Sequence, residues 1–190
     1  VQNLIELAEL CDIVDELQPT RTLEIGCYDG GTLWHWKQAT SELVYAIDPA
    51  HRRADEYDSW PGDSRVFVDY GLSQDDATVA RARVVGAPYD FVFVDGDHHY
   101  DMVLRDVLAY WPLLRPGGIM ALHDIAVGSS KIPAALKAVW GQGHADEIDD
   151  AGPAVLWAQL TRKHPWSSIT QTITAPSDTN PLGIGVIRKP

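Results

Sequence analysis

Apolar positions along this chain repeat at helical spacing, then at strand spacing, and the two periods take turns. Leu4, Leu7, Ala8, Cys11, Val14 and Leu17 fall on one face of a helix, which Pro19 closes. Residues 22–25 predict a first strand, which runs into Gly26-Cys27-Tyr28-Asp29-Gly30-Gly31, with a helix over 32–39 behind it. Residues 43–47 predict a second strand that ends on Asp48-Pro49. The polar stretch 51–64, with Pro61-Gly62, reads as a loop with at most a short helix, followed by a strand over 65–69 and a helix over 75–85. Residues 91–95 are apolar without alternation, which predicts a strand covered on both faces. A helix from about 101 to 114 presents Val103, Leu104, Val107, Leu108, Trp111 and Leu114 on one face, and one of two readings of Asp106 is a solvated helix residue. Pro116-Gly117-Gly118 ends it, and a fifth strand over 119–122 stops on His123-Asp124. Strand and helix alternate strictly to this point, as in a parallel sheet with helices on both faces.

The remainder departs from that rhythm. Residues 132–140 predict a helix, 143–152 an acidic loop, and 154–160 a short apolar element, helix or strand. Residues 168–174 alternate at period two and 182–187 form a last apolar run, so the two predict an antiparallel hairpin on the sheet edge. No repeat, low-complexity tract or linker interrupts the chain. We expect one domain over 1–190, with a helix over 1–19, a core over 20–125 and a closing portion over 126–190.

Composition narrows the setting. The 190 residues contain no apolar stretch near the roughly 20 needed to cross a bilayer. No basic segment followed by an apolar one opens the chain, so the expected location is cytoplasmic, although Val1 leaves open a trimmed beginning. Cys11 and Cys27 fit reduced thiols better than a disulfide framework. A formal net charge of −12 without a Lys/Arg cluster argues against a nucleic-acid partner. The amphipathic first helix could contribute to a homodimer.

Candidate chemistry gathers at strand ends. Asp95-Gly96-Asp97-His98-His99 puts two carboxylates and two imidazoles at the carboxyl end of the fourth strand, where open parallel sheets bind ligands. The competing reading is a polar turn that caps the next helix. Gly26 to Gly30 is a nucleotide-type loop, but Tyr28 occupies the place where a dinucleotide fingerprint needs its second glycine. The spacing Glu24-x-Gly26-x-x-x-Gly30 therefore favours a nucleoside without a pyrophosphate, with Glu24 receiving an ammonium or a water. Asp48, about 20 residues on, suits both hydroxyls of a ribose; otherwise it is a turn residue before Pro49. An imidazole, with a reference pKa near 6.5, suits proton removal at neutral pH, and both His98 and His99 qualify.

Glu24-Ile25-Gly26-Cys27-Tyr28-Asp29-Gly30 followed by Asp48 resembles the cofactor motif of class I S-adenosylmethionine-dependent methyltransferases. The series Phe93 to Tyr100, Asp106, Leu114-Arg115-Pro116-Gly117-Gly118 and His123-Asp124-Ile125 is similar to one branch of that family. The branch holds the small-molecule O-methyltransferases of antibiotic and sugar tailoring and the cephalosporin-hydroxylase-like proteins. The resemblance implies a Rossmann-like, doubly wound, mostly parallel α/β sheet of about seven strands. It implies S-adenosylmethionine as cofactor, held by Glu24, Gly26, Tyr28, Gly30, Asp48, Gly71 and Ser73, with Leu72 where an acidic residue is usual. It also implies O-methylation of a small hydroxylated metabolite or sugar, with His98 as general base beside Asp95. A magnesium ion on Asp95 and Asp124 is further implied, with His123 where a third carboxylate often stands. Mg²⁺ prefers oxygen ligands, so His123 points toward a softer metal or toward none. Trp140 and Trp157 are candidates for an acceptor pocket. Two other readings compete: a non-catalytic nucleoside-binding member of the fold, and a nicotinamide-dependent dehydrogenase, which Tyr28 disfavours.

Overall fold

Strand β4 (Tyr89–Val94), buried at every residue, is the middle member of a seven-stranded sheet. The order is β3 (Val66–Asp69), β2 (Leu43–Ile47), β1 (Arg21–Ile25), β4, β5 (Leu114–Leu122), β7 (Ile184–Arg188) and β6 (Thr170–Ile173). The first five in that list run parallel; β7 is antiparallel to β5, and β6 to β7. This is the Rossmann-like, mostly parallel arrangement with an antiparallel closing pair that the alternation predicts. The computed structural model describes residues 2–49, 65–126, 151–163, 170–176 and 181–190. The predicted loop over 51–64, the predicted helix over 132–140, most of the acidic stretch 143–152 and Trp60, Trp140 and Trp166 lie outside those residues.

Alternate faces of the strands feed two apolar layers. Val44, Ala46, Phe91, Phe93, Ile119 and Ala121 pack with Leu7, Leu10 and Val14 of α1 (Leu4–Leu17) and with Leu33 and Trp36 of α2 (Gly31–Ala39). On the other face Leu23, Tyr45, Val92, Val94, Met120 and Leu122 meet Ala82 of α3 (Asp76–Gly86) and Val103, Val107 and Tyr110 of α4 (Tyr100–Tyr110). Leu156 and Leu160 of α5 (Gly152–Lys163) join that second layer. Each fully buried Val, Leu, Ile, Phe or Met among them contributes roughly 1.5–3 kcal/mol. Among the described residues no helix is long and apolar enough to cross a membrane.

Several expectations need correction. Helix α4 stops at Tyr110 and gives way to a 3₁₀ turn over Trp111–Leu113, because Pro112 lacks the amide hydrogen a helix needs. Strand β5 then begins at Leu114 rather than 119 and carries Pro116-Gly117-Gly118 inside it, with a register shift against β4 between Tyr89 and Phe91. Residues 154–160 are helical. On α4, Asp106 is fully buried and Leu108 is 63% exposed, the reverse of the expected faces. On α1, Leu4 is 78% exposed while Glu6 is buried. The cause lies far away in the chain: the Glu6 carboxylate accepts the amide hydrogens of Ala175, Leu182 and Gly183 at 2.9, 3.2 and 2.9 Å. Three such donors make burial of the carboxylate tolerable, and they roll the first turn of α1 toward the closing strands.

Strand order reverses between β1 and β4, and the register there positions the site. Ile25 pairs with both Ile47 and Val94, and Val94 with Leu122. Gly26, Asp48, Asp95 and His123 therefore stand one residue past the aligned strand ends. The amides of Gly26, Asp95 and His123 continue the ladder onto the carbonyls of Ile47, Ile25 and Val94. A crevice at such a reversal is where open α/β sheets bind ligands.

Candidate active site

The loop after β1 is shaped by close backbone approach. Gly26 has φ +83°, and a Cβ there would lie 2.1 Å from the Asp95 carbonyl oxygen, so no side chain fits between β1 and β4. Gly30, at φ +77°, caps α2. Tyr28 also has positive φ and is exposed; its amide donates to Asp48 Oδ2 at 2.6 Å, so the second strand's carboxylate closes the first strand's loop. Glu24 is fully buried, and the Thr32 hydroxyl donates to its Oε1 while Oε2 has no partner among the described residues. Burial drives this carboxyl up to about 8, against the pull of the Thr32 hydroxyl.

In front of the loop lies a cavity of about 590 Å³, a size that suits a small organic ligand. Gly26, Tyr28 and Asp48 line one side, Leu72, Ser73 and Gln74 another, and Asp95, Gly96, Asp97 and Gln2 the remainder. Of the expected cofactor residues, Gly26, Tyr28, Asp48 and Ser73 line it; Glu24, Gly30 and Gly71 do not. Gly71 serves the turn: its amide donates to Asp69 Oδ1 at 3.0 Å, and a Cβ would lie 2.2 Å from the Thr78 hydroxyl.

Asp95 belongs to the cavity and also to a cluster at the ends of β4 and β5. His98 Nε2 lies 2.9 Å from Asp124 Oδ2, and His123 Nδ1 lies 3.0 Å from Asp95 Oδ1 and 3.1 Å from Asp124 Oδ2. Asp124 reaches inward from a positive-φ position that Asp tolerates better than most residues. His99 turns away: Asp97 Oδ1 accepts its amide at 2.8 Å and also faces its ring. Asp124 raises the His98 pKa, with burial opposing. Burial works against a charged His123, but the carboxylates of Asp124 and Asp95 prevail and lift it to about 10. Asp124 is held well below the usual carboxylate range: burial opposes this, and the two imidazoles outweigh it. Asp95, His98 and Asp124 each offer a ligand atom within 4.8 Å of the others. His123, expected as the third metal residue, is not in that set; its Nδ1 is bonded between the carboxylates, and its buried Nε2 has no partner among the described residues.

Some residues at the site have no local signal in the sequence. Gln2 Nε2 donates to Asp95 Oδ2 at 2.6 Å across 93 positions. Gly152 opens α5 against His98: its amide donates to the His98 carbonyl at 3.1 Å, and a Cβ would lie 2.1 Å from that oxygen. Trp157 packs across Gly185 in the core and does not line the cavity.

A family model described as a methyltransferase domain matches residues 23–125. Demethylmacrocin O-methyltransferase of Streptomyces fradiae is 27% identical over 116 residues, which cover 57% of this chain and 28% of that protein. The match therefore spans little more than a quarter of that curated relative's length. Among solved structures, the O-methyltransferase from Bacillus cereus in complex with SAH superposes with a TM-score of 0.74 at 16% identity, covering 100% of this chain and 82% of that one. The MycE methyltransferase from the mycinamycin biosynthetic pathway, in complex with Mg, SAH and mycinamycin VI, gives 0.61 at 17% identity, covering 99% and 55%. At these identities the structural likeness speaks for the fold, while the family model spans more than half of the sequence and reaches from β1 past the His123-Asp124 pair. The chain belongs to the methyltransferase domain family.

Proposed function

We propose that this chain is an S-adenosylmethionine-dependent O-methyltransferase acting on a small hydroxylated metabolite or sugar, with His98 as general base. The observation that carries the reading is the register of β1, β2, β4 and β5. It brings the glycine loop and Asp48 to one cavity and sets the His98–Asp124 pair beside it through Asp95. A relative named for demethylmacrocin and a neighbour bound to mycinamycin VI support a small-molecule acceptor.

S-adenosylmethionine supplies a methyl group on a sulfonium, a good leaving group; the chain must bind, orient and deprotonate. Asp48 is placed to take ribose hydroxyls, with the Gly26 loop beneath and the Leu72–Gln74 turn beside the base. Glu24, behind the loop, acts through Thr32 on the start of α2. Asp124, bonded to His98 Nε2, favours the tautomer with its proton there and leaves Nδ1 to accept a proton from the acceptor hydroxyl. The same carboxylate stabilises the imidazolium that results. His98 is half-exposed, so an acceptor can reach it.

A second reading rests on the convergence of Asp95, His98 and Asp124. Two carboxylate oxygens and an imidazole fit a divalent cation, and the nitrogen favours Mn²⁺ or Zn²⁺ over Mg²⁺. Such an ion would polarise an acceptor hydroxyl, and His98 would then be a ligand rather than the base.

Isothermal titration with S-adenosylhomocysteine tests the first claim, and absence of binding at millimolar ligand sinks it. With an acceptor in hand, His98→Ala should lower turnover by roughly 10²–10⁴-fold if His98 is the base. Unchanged turnover removes His98 from the mechanism, and loss of turnover on chelation, restored by Mn²⁺, favours the metal reading.

A further inference from the structure

Beneath the cavity floor sits a carboxylate that the mechanism above does not use. Asp106, on the inner face of α4, is fully buried, and a Cβ on the cavity-lining Gly96 would lie 3.9 Å from its Oδ2. Gln74 Nε2 donates to both of its oxygens, at 3.0 and 3.1 Å. One helical turn on, the Tyr110 hydroxyl donates to the Ser73 carbonyl at 2.8 Å, so α4 grips the Ser73-Gln74 turn at two points. Burial lifts Asp106 to about 7, against the donors of Ser73 and Gln74.

We propose that Asp106 is a positioning residue that sets base selectivity by fixing which way the Gln74 amide faces the cavity. Above about pH 7 Asp106 is ionised and only accepts, so it holds the amide nitrogen inward and leaves the amide oxygen as the group Gln74 can offer. Gln74 lines the cavity, and its Oε1 is neither bonded to a described residue nor enclosed without a partner. An acceptor there matches the exocyclic amine of adenine and opposes the carbonyl oxygen of hypoxanthine or guanine, which leaves two acceptors face to face. The inference rests on the proposed nucleoside cofactor and adds how its base is chosen.

Competition binding of S-adenosylhomocysteine and S-inosylhomocysteine to the full chain at about pH 8.5, where Asp106 is ionised, tests it. The wild type should prefer the adenosyl ligand by about tenfold or more. Asp106→Asn keeps the shape but offers both a donor and an acceptor, so the Gln74 amide can turn over. The adenosyl ligand should then weaken and the inosyl ligand tighten, closing the ratio by about tenfold. A purely structural role would weaken both alike, and that result, or an unchanged ratio, overturns the proposal. Gln74→Met leaves Asp106 in place and should erase the preference even if Asp106→Asn folds poorly; a preserved preference in it counts against the proposal. Failure of the wild type to bind either ligand would instead remove the cofactor reading on which this one stands.

Discussion

The two ends of strand β4 each carry an aspartate, and they have opposite fates. At the amino end, Asp90 accepts from the Thr20 amide at 2.8 Å, the Thr20 hydroxyl at 2.7 Å, the Arg21 amide at 2.8 Å and the Arg115 guanidinium. Burial pushes its pKa up, but these donors win and hold it below the ordinary value. At the carboxyl end, Asp95 lines the cavity together with Gln2, whose side-chain amide it accepts, and meets the imidazole of the buried His123. Backbone amides and a guanidinium keep one charge state at every working pH. One imidazole and one side-chain amide hold Asp95 with fewer donors. The same residue type is thus a structural rivet at one end of the strand and a cavity-lining group at the other, and the donors around it differ accordingly.

Gly26→Ala should disturb the carboxyl end most. The added carbon would strike the Asp95 carbonyl at a backbone angle that side chains avoid, so we expect a loss of about 3 kcal/mol or more in urea unfolding, with the cavity lost as well. A near-wild-type midpoint would show that the β1–β4 approach is softer than it looks.

Asp90→Asn should cost about 2 kcal/mol at pH 7 and leave ligand binding unchanged. The folded pKa of Asp90 is depressed, so its stabilisation is present above the unfolded value near 3.9 and is lost as pH falls through the folded pKa. Urea midpoints of wild type and variant should therefore converge below about pH 3. Parallel curves throughout would mean that the charge contributes nothing.

For ligand binding the smallest effect is expected from Asp124→Asn, a test of the metal reading. Mn²⁺ affinity, followed by electron paramagnetic resonance, should fall by about tenfold or more, while S-adenosylhomocysteine affinity stays within about threefold. Equal loss of both would erase the distinction between cavity and cluster.

What the sequence shows and what it hides divide along physical lines. Strand β4, the glycine loop and the carboxylates at strand ends are local signals, written in neighbouring residues, and they place Gly26, Asp48, Asp95 and Asp124 correctly at one edge of the sheet. The end of α4 was equally legible in Pro112, and the apolar stripe drawn across it overrode that signal. Burial of Glu6 and Asp106 was not legible. A carboxylate goes inside only where donors await it, and those of Glu6 lie 169 to 177 positions away. That His98 rather than His123 stands in one group with Asp95 and Asp124 is hidden for a similar reason. Both His98 and His123 reach Asp124, and the place of His98 there depends on the backbone turn at Asp97 and on the start of α5 behind it.

The grip of Glu6 on Ala175, Leu182 and Gly183 ties the opening helix to the final strand pair, and Gln2 rides on that helix. On the ribosome, the roof over Asp95 cannot settle until the last strands have emerged and β7 has slotted in between β5 and β6. Such long-range closure slows folding. A nascent chain halted before Ala175 would expose its half-made pocket to solvent, with Gln2 unanchored.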